Sequence, residues 1–175
     1  PKCKLCGTTP QIKETKHLFF EVDKLSDKLK QWIENNKHWK TQVSSMALGW
    51  ITEGLKPRCI TRDLQWGVKV PLQGFENKVF YVWFDAPIGY ISFVKEALPK
   101  KWKKYWQDDK AKIYHFLGKD NIIFHTIFWP AMLMADSTFN LPWQIAGLQY
   151  LNYEGQKISK SKKWGVFCEK LPASG

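Results

Sequence analysis

The sequence predicts an α/β protein, a parallel half-sheet covered by helices and preceded by a smaller cysteine-bearing segment. Three observations carry this. Apolar runs at Val79–Phe84, Ile113–Leu117 and Gln144–Leu148 alternate with helix-length patterns, and successive βαβ units of that kind build parallel sheets. Apolar residues make up 44% and charged residues 25%, ordinary values for a chain with a packed core. A polar, broken stretch from Arg62 to Gly74, containing Trp66-Gly67 and Pro71, divides the chain into residues 1–70 and 71–175.

The elements follow in order. Pro1–Pro10 is turn-rich and carries Cys3-x-x-Cys6 followed by Gly7. His17–Val22 is a short apolar run with strand character. Leu25, Leu29, Trp32 and Ile33 fall at helical spacing, with Ser26 as N-cap. Ser44–Leu55 is a second helix, ended by Gly54 and Pro57. Val79–Phe84 is dense in β-branched and aromatic residues, the pattern of a strand buried on both faces. Pro87 suits the first turn of a helix through Ile88, Ile91, Val94 and Leu98. After Lys100–Lys104 comes the run Ile113–Leu117, and Gly118-Lys119-Asp120 opens a helix over Ile122–Ala135 with a kink at Pro130. Gln144–Leu148 then leads into a polar loop, Asn152–Lys163, in which Gly155 can act as a hinge. Ligands of such sheets bind at the carboxyl ends of the strands. Asp85-Ala86-Pro87, Gly118-Lys119-Asp120 and the polar loop are therefore expected on one crevice.

The net charge of +11 suits a polyanionic partner (nucleic acid, a nucleotide or an acidic membrane surface) and equally a solvated lysine surface. No apolar run is long enough to span a bilayer, so no membrane partner is expected. The chain opens at Pro1 without Met or a leader and reads as an excerpt. Four cysteines in three places, without a secretory context, suggest a reduced, cytoplasmic protein. Cys3 and Cys6 read as half of a zinc knuckle. Zinc takes four ligands, and no second CxxC lies downstream; His17 is either a third ligand or a packing residue, so Zn2+ stays open. Lys100–Trp106 (KKWKKYW) interleaves charge and rings. It either stacks bases or is a helix with buried rings and a solvated lysine face, the reading preferred here.

Lys157-Ile158-Ser159-Lys160-Ser161 places two ammonium groups and two hydroxyls around one apolar anchor. Such a loop can swing cations onto phosphates and stabilise charge developing in a transition state; taken alone, the pentapeptide is more often an ordinary solvated loop. The pentapeptide resembles the lysine-serine signature loop of class I aminoacyl-tRNA synthetases, with Ile158 where Met is more usual. Phe80–Tyr90 (FYVWFDAPIGY) and Gly118–Thr126 (GKDNIIFHT) resemble segments of the methionyl-tRNA synthetase family, and Thr61–Gly67 (TRDLQWG) is another family-like block. The resemblance runs from Cys3 to Phe167.

That resemblance implies a Rossmann-type half-domain over 71–175, preceded by the tail of a connective insertion over 1–70. It implies activation of methionine by ATP with Mg2+, then transfer to tRNA. Lys160 would contact the ATP phosphates and the pentavalent α-phosphorus, assisted by Lys157, with Ser159 and Ser161 on phosphate oxygens. Gly118 and Asp120 would bind the ribose and orient the adenylate; the bland role for Asp120 is a helix cap. Trp83, Ala86, Pro87, Tyr90, Phe124 and His125 would form the methionine pocket. Aromatic walls suit a thioether, and a phenol or imidazole can donate to its sulfur.

The chain departs from the family in lacking a His-x-Gly-His-type segment. The first half of the catalytic core and the helical anticodon-binding domain are expected as further parts of the same enzyme, and the piece alone is expected to be inactive. The rival from another class is a non-catalytic, basic tRNA-binding or scaffold protein derived from a synthetase. The nearest rival enzyme is a class I synthetase for a branched aliphatic amino acid.

Overall fold

The computed structural model describes residues 2–4 and 6–166; Cys168 and the Phe167 end of the resemblance lie outside them. Strand β1 (Phe19–Phe20) pairs antiparallel with β2 (Arg58–Cys59), and β3 (Thr61–Arg62) pairs antiparallel with β4 (Val79–Phe80). Helices α1 (Ser26–Asn35) and α2 (Thr41–Thr52) lie between β1 and β2. After β4 come a helical turn α3 (Val82–Asp85), α4 (Ile88–Ala97) and α5 (Trp102–Trp106). Strand β5 (Tyr114–Gly118) pairs in parallel with β6 (Gln144–Leu148), joined by a helical crossover ending in α6 (Trp129–Asp136). A hairpin, β7 (Asn152–Tyr153) and β8 (Gln156–Lys157), closes the order. The fold is α/β.

Helix α1 buries Leu29 and Ile33, and α2 buries Val43 and Ala47. Each pair is four residues apart and so lies on one helical face. Both faces meet Ile122, Ile127 and Ile145 from the crossover and β6 in one core. Segments on both sides of residue 70 therefore pack into one body. Burying an aliphatic side chain of this size contributes about 1.5–3 kcal/mol. The backbone of β6 comes close to this core: a Cβ on Gly147 would lie 2.7 Å from Ile122 Cδ1. A second core gathers Ile91, Trp106, Trp129 and Leu133, with the Trp106 and Trp129 rings edge-on at 6.1 Å. The two bodies of sequence are also pinned at Trp143, whose carbonyl accepts from His38 Nε2 at 2.7 Å and Trp39 Nε1 at 2.8 Å.

Several expectations need correction. Ser26 is the first residue of α1 and not its N-cap. A 3-10 turn, Val22–Leu25, precedes it, and the Ser26 hydroxyl donates to the Asp23 carbonyl at 2.7 Å. The second helix starts three residues early, at Thr41. It ends as expected before Gly54, whose φ of +91° suits glycine. Val79–Phe84 is not one strand buried on both faces. Pairing stops at Phe80, the Val82–Asp85 turn follows, and Val82 and Trp83 are exposed. Consequently one βαβ unit is present among the described residues, not two, and the parallel sheet has two strands. The crossover is also irregular, running through a 3-10 turn (Lys119–Asn121) and a π-helical turn (Phe124–Phe128) into α6. Pro130 supplies the reason. It has no N–H for the Thr126 carbonyl and its ring crowds that carbonyl, so the turn widens, and Trp129 N–H bonds the Phe124 carbonyl five residues back.

Candidate active site

The site is built at the junction of α3, α4, the π-helical turn and β5. A π-helical turn inside a helix rotates side chains off the regular spacing and is frequent at functional sites; here it carries Phe124 and His125. His125 is buried, and its Nδ1 lies 3.0 Å from the Asn121 carbonyl. A carbonyl only accepts, so Nδ1 carries the proton. Burial holds the His125 pKa below the ordinary imidazole range, with the Asn121 carbonyl opposing it in part. The ring is therefore neutral at pH 7 and Nε2 is an acceptor. Tyr90, from α4, donates its hydroxyl proton to that nitrogen at 2.9 Å, and burial raises the phenol pKa. In this arrangement both polar protons are engaged, so neither is free to reach a ligand sulfur.

Trp83 meets Phe124 edge-on at 6.5 Å, and Phe124 meets His125 at 5.4 Å. Trp83, Tyr90, Phe124 and His125 thus form one connected cluster. Pro87 is buried at the start of α4 and Ala86 is exposed beside it. Two further rings, not singled out from sequence, complete the surround: His115 lies 5.0 Å and Trp129 6.0 Å from the Tyr90 ring. Burial, and then the His125 charge, push the His115 pKa down to about 4. Among the described residues, four buried side-chain polar atoms lack a partner, and three of them are Asp85 Oδ1, His115 Nε2 and Trp129 Nε1. Unpaired buried polar atoms are rare and costly, and their concentration around Tyr90 and Trp83 marks this region. Trp83 and Phe124 also line a cleft of about 510 Å3 together with Arg58, Arg62, Tyr81 and Phe128. The Arg62 guanidinium stacks 3.9 Å from the Tyr81 ring centre and Arg58 stands 4.8 Å from that of Phe128.

Gly118 ends β5 opposite Leu148, and Asp120 stands exposed in the 3-10 turn. Neither turn boundary there, Gly118 or Ile123, carries a side-chain cap bond. The polar loop is ordered by its own backbone. Glu154 and Gly155 both have positive φ, 47° and 76°, the geometry of a tight hairpin turn. Beyond β8, Ser159 and Trp164 exchange both backbone hydrogen bonds, at 2.9 and 3.0 Å, leaving Lys160–Lys163 as a protruding turn. Trp164 Nε1 donates to the Tyr153 carbonyl at 3.0 Å. The Ser159 and Ser161 hydroxyls sit 3.2 Å apart, and Lys160 is exposed at the start of the turn. Lys119 and Lys157 both approach the Tyr150 ring, at 4.7 and 3.8 Å, which ties the Gly118-Lys119-Asp120 turn to the loop.

At the start of the chain, Gly7 N–H bonds the Cys3 carbonyl and Cys3 N–H bonds the Thr8 carbonyl, each at 2.9 Å. The Thr8 hydroxyl, then its backbone and the Cys3 side chain, lower the Cys6 pKa to about 7. Two thiols on one turn suit half of a tetrahedral site. His17 does not complete it: its ring is engaged by the Thr61 hydroxyl at 2.9 Å and the Asp63 carboxylate at 3.4 Å. Among the described residues no group of three or more ligating side chains could hold a metal ion. In the Lys100–Trp106 segment only Trp102–Trp106 is helical. The four lysines are exposed, Trp106 is buried and Trp102 half-buried, but the Tyr105 ring is exposed, so the expectation of buried rings holds in part. No helix among the described residues is long and apolar enough to cross a membrane.

The family model for tRNA synthetases class I (M) matches residues 1–174. A methionine–tRNA ligase of Sulfurisphaera tokodaii is 50% identical across 98% of the chain, and one of Parabacteroides distasonis is 48% identical across 95%. The chain spans about a third or less of these relatives, 31% and 25% of their lengths. Among solved structures, methionyl-tRNA synthetase of Mycobacterium tuberculosis bound by methionyl-adenylate superposes with a TM-score of 0.72 at 27% identity. The match covers 93% of this chain and 32% of that one.

Proposed function

The chain belongs to the class I (M) tRNA synthetases, and from that premise we propose that it is the second half of a Rossmann-type catalytic core that activates methionine. The observation that carries this reading is identity near 50% along almost the whole chain to proteins named methionine–tRNA ligase. Residues 71–175 belong to the catalytic domain and residues 1–70 to the tail of a connective insertion. The remaining length of the relatives would supply the first half of the core and the anticodon-binding domain, without which this segment is inactive.

In the reaction, the methionine carboxylate attacks the α-phosphorus of ATP, forming methionyl-adenylate and releasing pyrophosphate. The acyl group then passes to a terminal ribose hydroxyl of tRNA and AMP leaves. Trp83, Phe124, Ala86 and Pro87 wall the side chain, a fitting environment because sulfur packs well against rings. Tyr90 and His125 form the polar end. For the phenol to donate to sulfur it must first leave His125, so methionine binding competes with the internal hydrogen bond. Asp120, exposed and uncapped, accepts ribose hydroxyls beside Gly118.

Lys160, exposed on its turn, neutralises charge on the α-phosphorus during attack, Lys157 assists, and the Ser159 and Ser161 hydroxyls bond phosphate oxygens. Magnesium, arriving on ATP, would share the phosphate charge; the described residues offer it no carboxylate cage. Zinc would find two of its four ligands here, Cys3 and Cys6. The scaffold alternative is not favoured, since the relatives compared carry ligase names throughout. Amino-acid-dependent ATP–pyrophosphate exchange by the full-length enzyme tests the reading.

A further inference from the structure

We propose that Tyr150 is a positioning residue that presents Lys119 and Lys157 together as a clamp for the pyrophosphate portion of a nucleoside triphosphate. The proposal rests on the ATP chemistry above and adds two residues to it. Tyr150 lies two residues beyond the end of β6 and is half-buried. Its ring gathers ammonium groups from two different elements. Lys119 comes from the turn after β5, 4.7 Å from the ring centre, and Lys157 comes from β8 at 3.8 Å. Both elements lie at the carboxyl ends of the parallel strands, where ligands of such sheets bind.

The arrangement is electrostatically incomplete. A phenol face attracts a cation through its quadrupole. Two ammonium groups sharing one ring stand within about one Debye length, ~10 Å at 0.1 M salt, and repel each other. Among the described residues no carboxylate pairs with either. An anion with two linked charge centres relieves the repulsion best, one phosphoryl group to each lysine. A single carboxylate does so less well. Pyrophosphate, free or as the β,γ-part of ATP, has that form. The ring thereby holds Lys157 at a fixed distance from Lys119 before substrate arrives, so less ordering remains to be done on binding.

The test uses the full-length enzyme and two readouts: binding of inorganic pyrophosphate by calorimetry, and methionine-dependent ATP–pyrophosphate exchange. Tyr150→Leu is expected to weaken pyrophosphate binding about 3- to 5-fold, the factor for a lost exposed cation–π contact. It should lower the exchange kcat similarly, with the methionine KM unmoved. Tyr150→Phe, which keeps the ring face, should restore both values, and Lys119→Gln should weaken pyrophosphate like the leucine variant. Tyr150→Leu binding pyrophosphate as the parent does, or Tyr150→Phe failing as the leucine variant fails, overturns the clamp. A parent enzyme that binds pyrophosphate in a Tyr150-dependent way yet activates no amino acid leaves the clamp standing and removes the ligase reading.

Discussion

The Tyr90 hydroxyl donates to His125 Nε2 at 2.9 Å because the Asn121 carbonyl fixes the imidazole proton on Nδ1. One backbone acceptor thus sets the direction of a side-chain bond within the Trp83–Tyr90–Phe124–His125 cluster. Tyr90→Phe removes the donor and strands the Nε2 acceptor. An intramolecular bond of this kind contributes about 1 kcal/mol net. Urea unfolding should show a loss of that order, and the methionine KM should rise about 5-fold. Unchanged stability and KM would mean that the bond is not formed in solution.

The two buried imidazoles make stability depend on pH between 7 and 4. His115 is pushed to about 4 and His125 is lowered, so in this window the unfolded chain binds more protons than the folded one. Stability then rises with pH. It is fully present above the unfolded imidazole value, ~6.5, and is lost as pH falls toward the folded values. His115→Phe should flatten the upper part of a plot of unfolding free energy against pH. Asp63, whose carboxyl is lowered first by Lys78 and then by Thr15, adds a separate loss at lower pH. A plot equally steep in the variant would contradict the His115 assignment.

Cys6 should be the reactive thiol of the described segment. Its pKa of about 7, set mainly by the Thr8 hydroxyl, leaves a large thiolate fraction at neutral pH, and the thiolate is the nucleophile. The rate of iodoacetamide labelling at Cys6 should follow a titration centred near 7. Thr8→Val should move that midpoint upward. A midpoint in the ordinary thiol range for the parent would show that the Thr8 bond is not made.

Lys160 stands exposed on a turn closed by the Ser159–Trp164 pair, so its removal leaves the hairpin intact. Lys160→Ala in the full-length enzyme should lower the activation kcat by about 100-fold or more, the scale for losing one transition-state charge stabiliser. The methionine KM should change little. Normal turnover would remove Lys160 from the reaction.

Much of this was legible in the chain. The helical spacing of Leu29 and Ile33, the β-rich runs Ile113–Leu117 and Gln144–Leu148, and the Gly54 stop are local signals that tertiary structure did not override. Val79–Phe84 shows where local reading fails. Its β-branched and aromatic residues promise a buried strand, yet only Val79 and Phe80 find an antiparallel partner, and Val82–Asp85 form a helical turn. That Pro130 would interrupt a regular helix was legible, but the π-helical turn before it was not, because widening depends on how the preceding carbonyls are satisfied. In the site, Tyr90 and His125 could be named from motif resemblance alone. His115, Trp129 and Tyr150 could not, since their roles arise from rings and charges brought together by pairing distant segments. His17 had a metal-ligand reading in sequence; the Thr61 and Asp63 contacts that occupy it lie more than 40 residues away.

The most direct test of the central claim is ATP–pyrophosphate exchange by the full-length enzyme with methionine, leucine, isoleucine and valine offered separately. Exchange is expected with methionine and at least about 100-fold less with the three hydrocarbons, because a polar contact to the side chain discriminates more strongly than shape alone. A folded enzyme that exchanges with none of them, or that prefers a branched aliphatic amino acid, would contradict that claim.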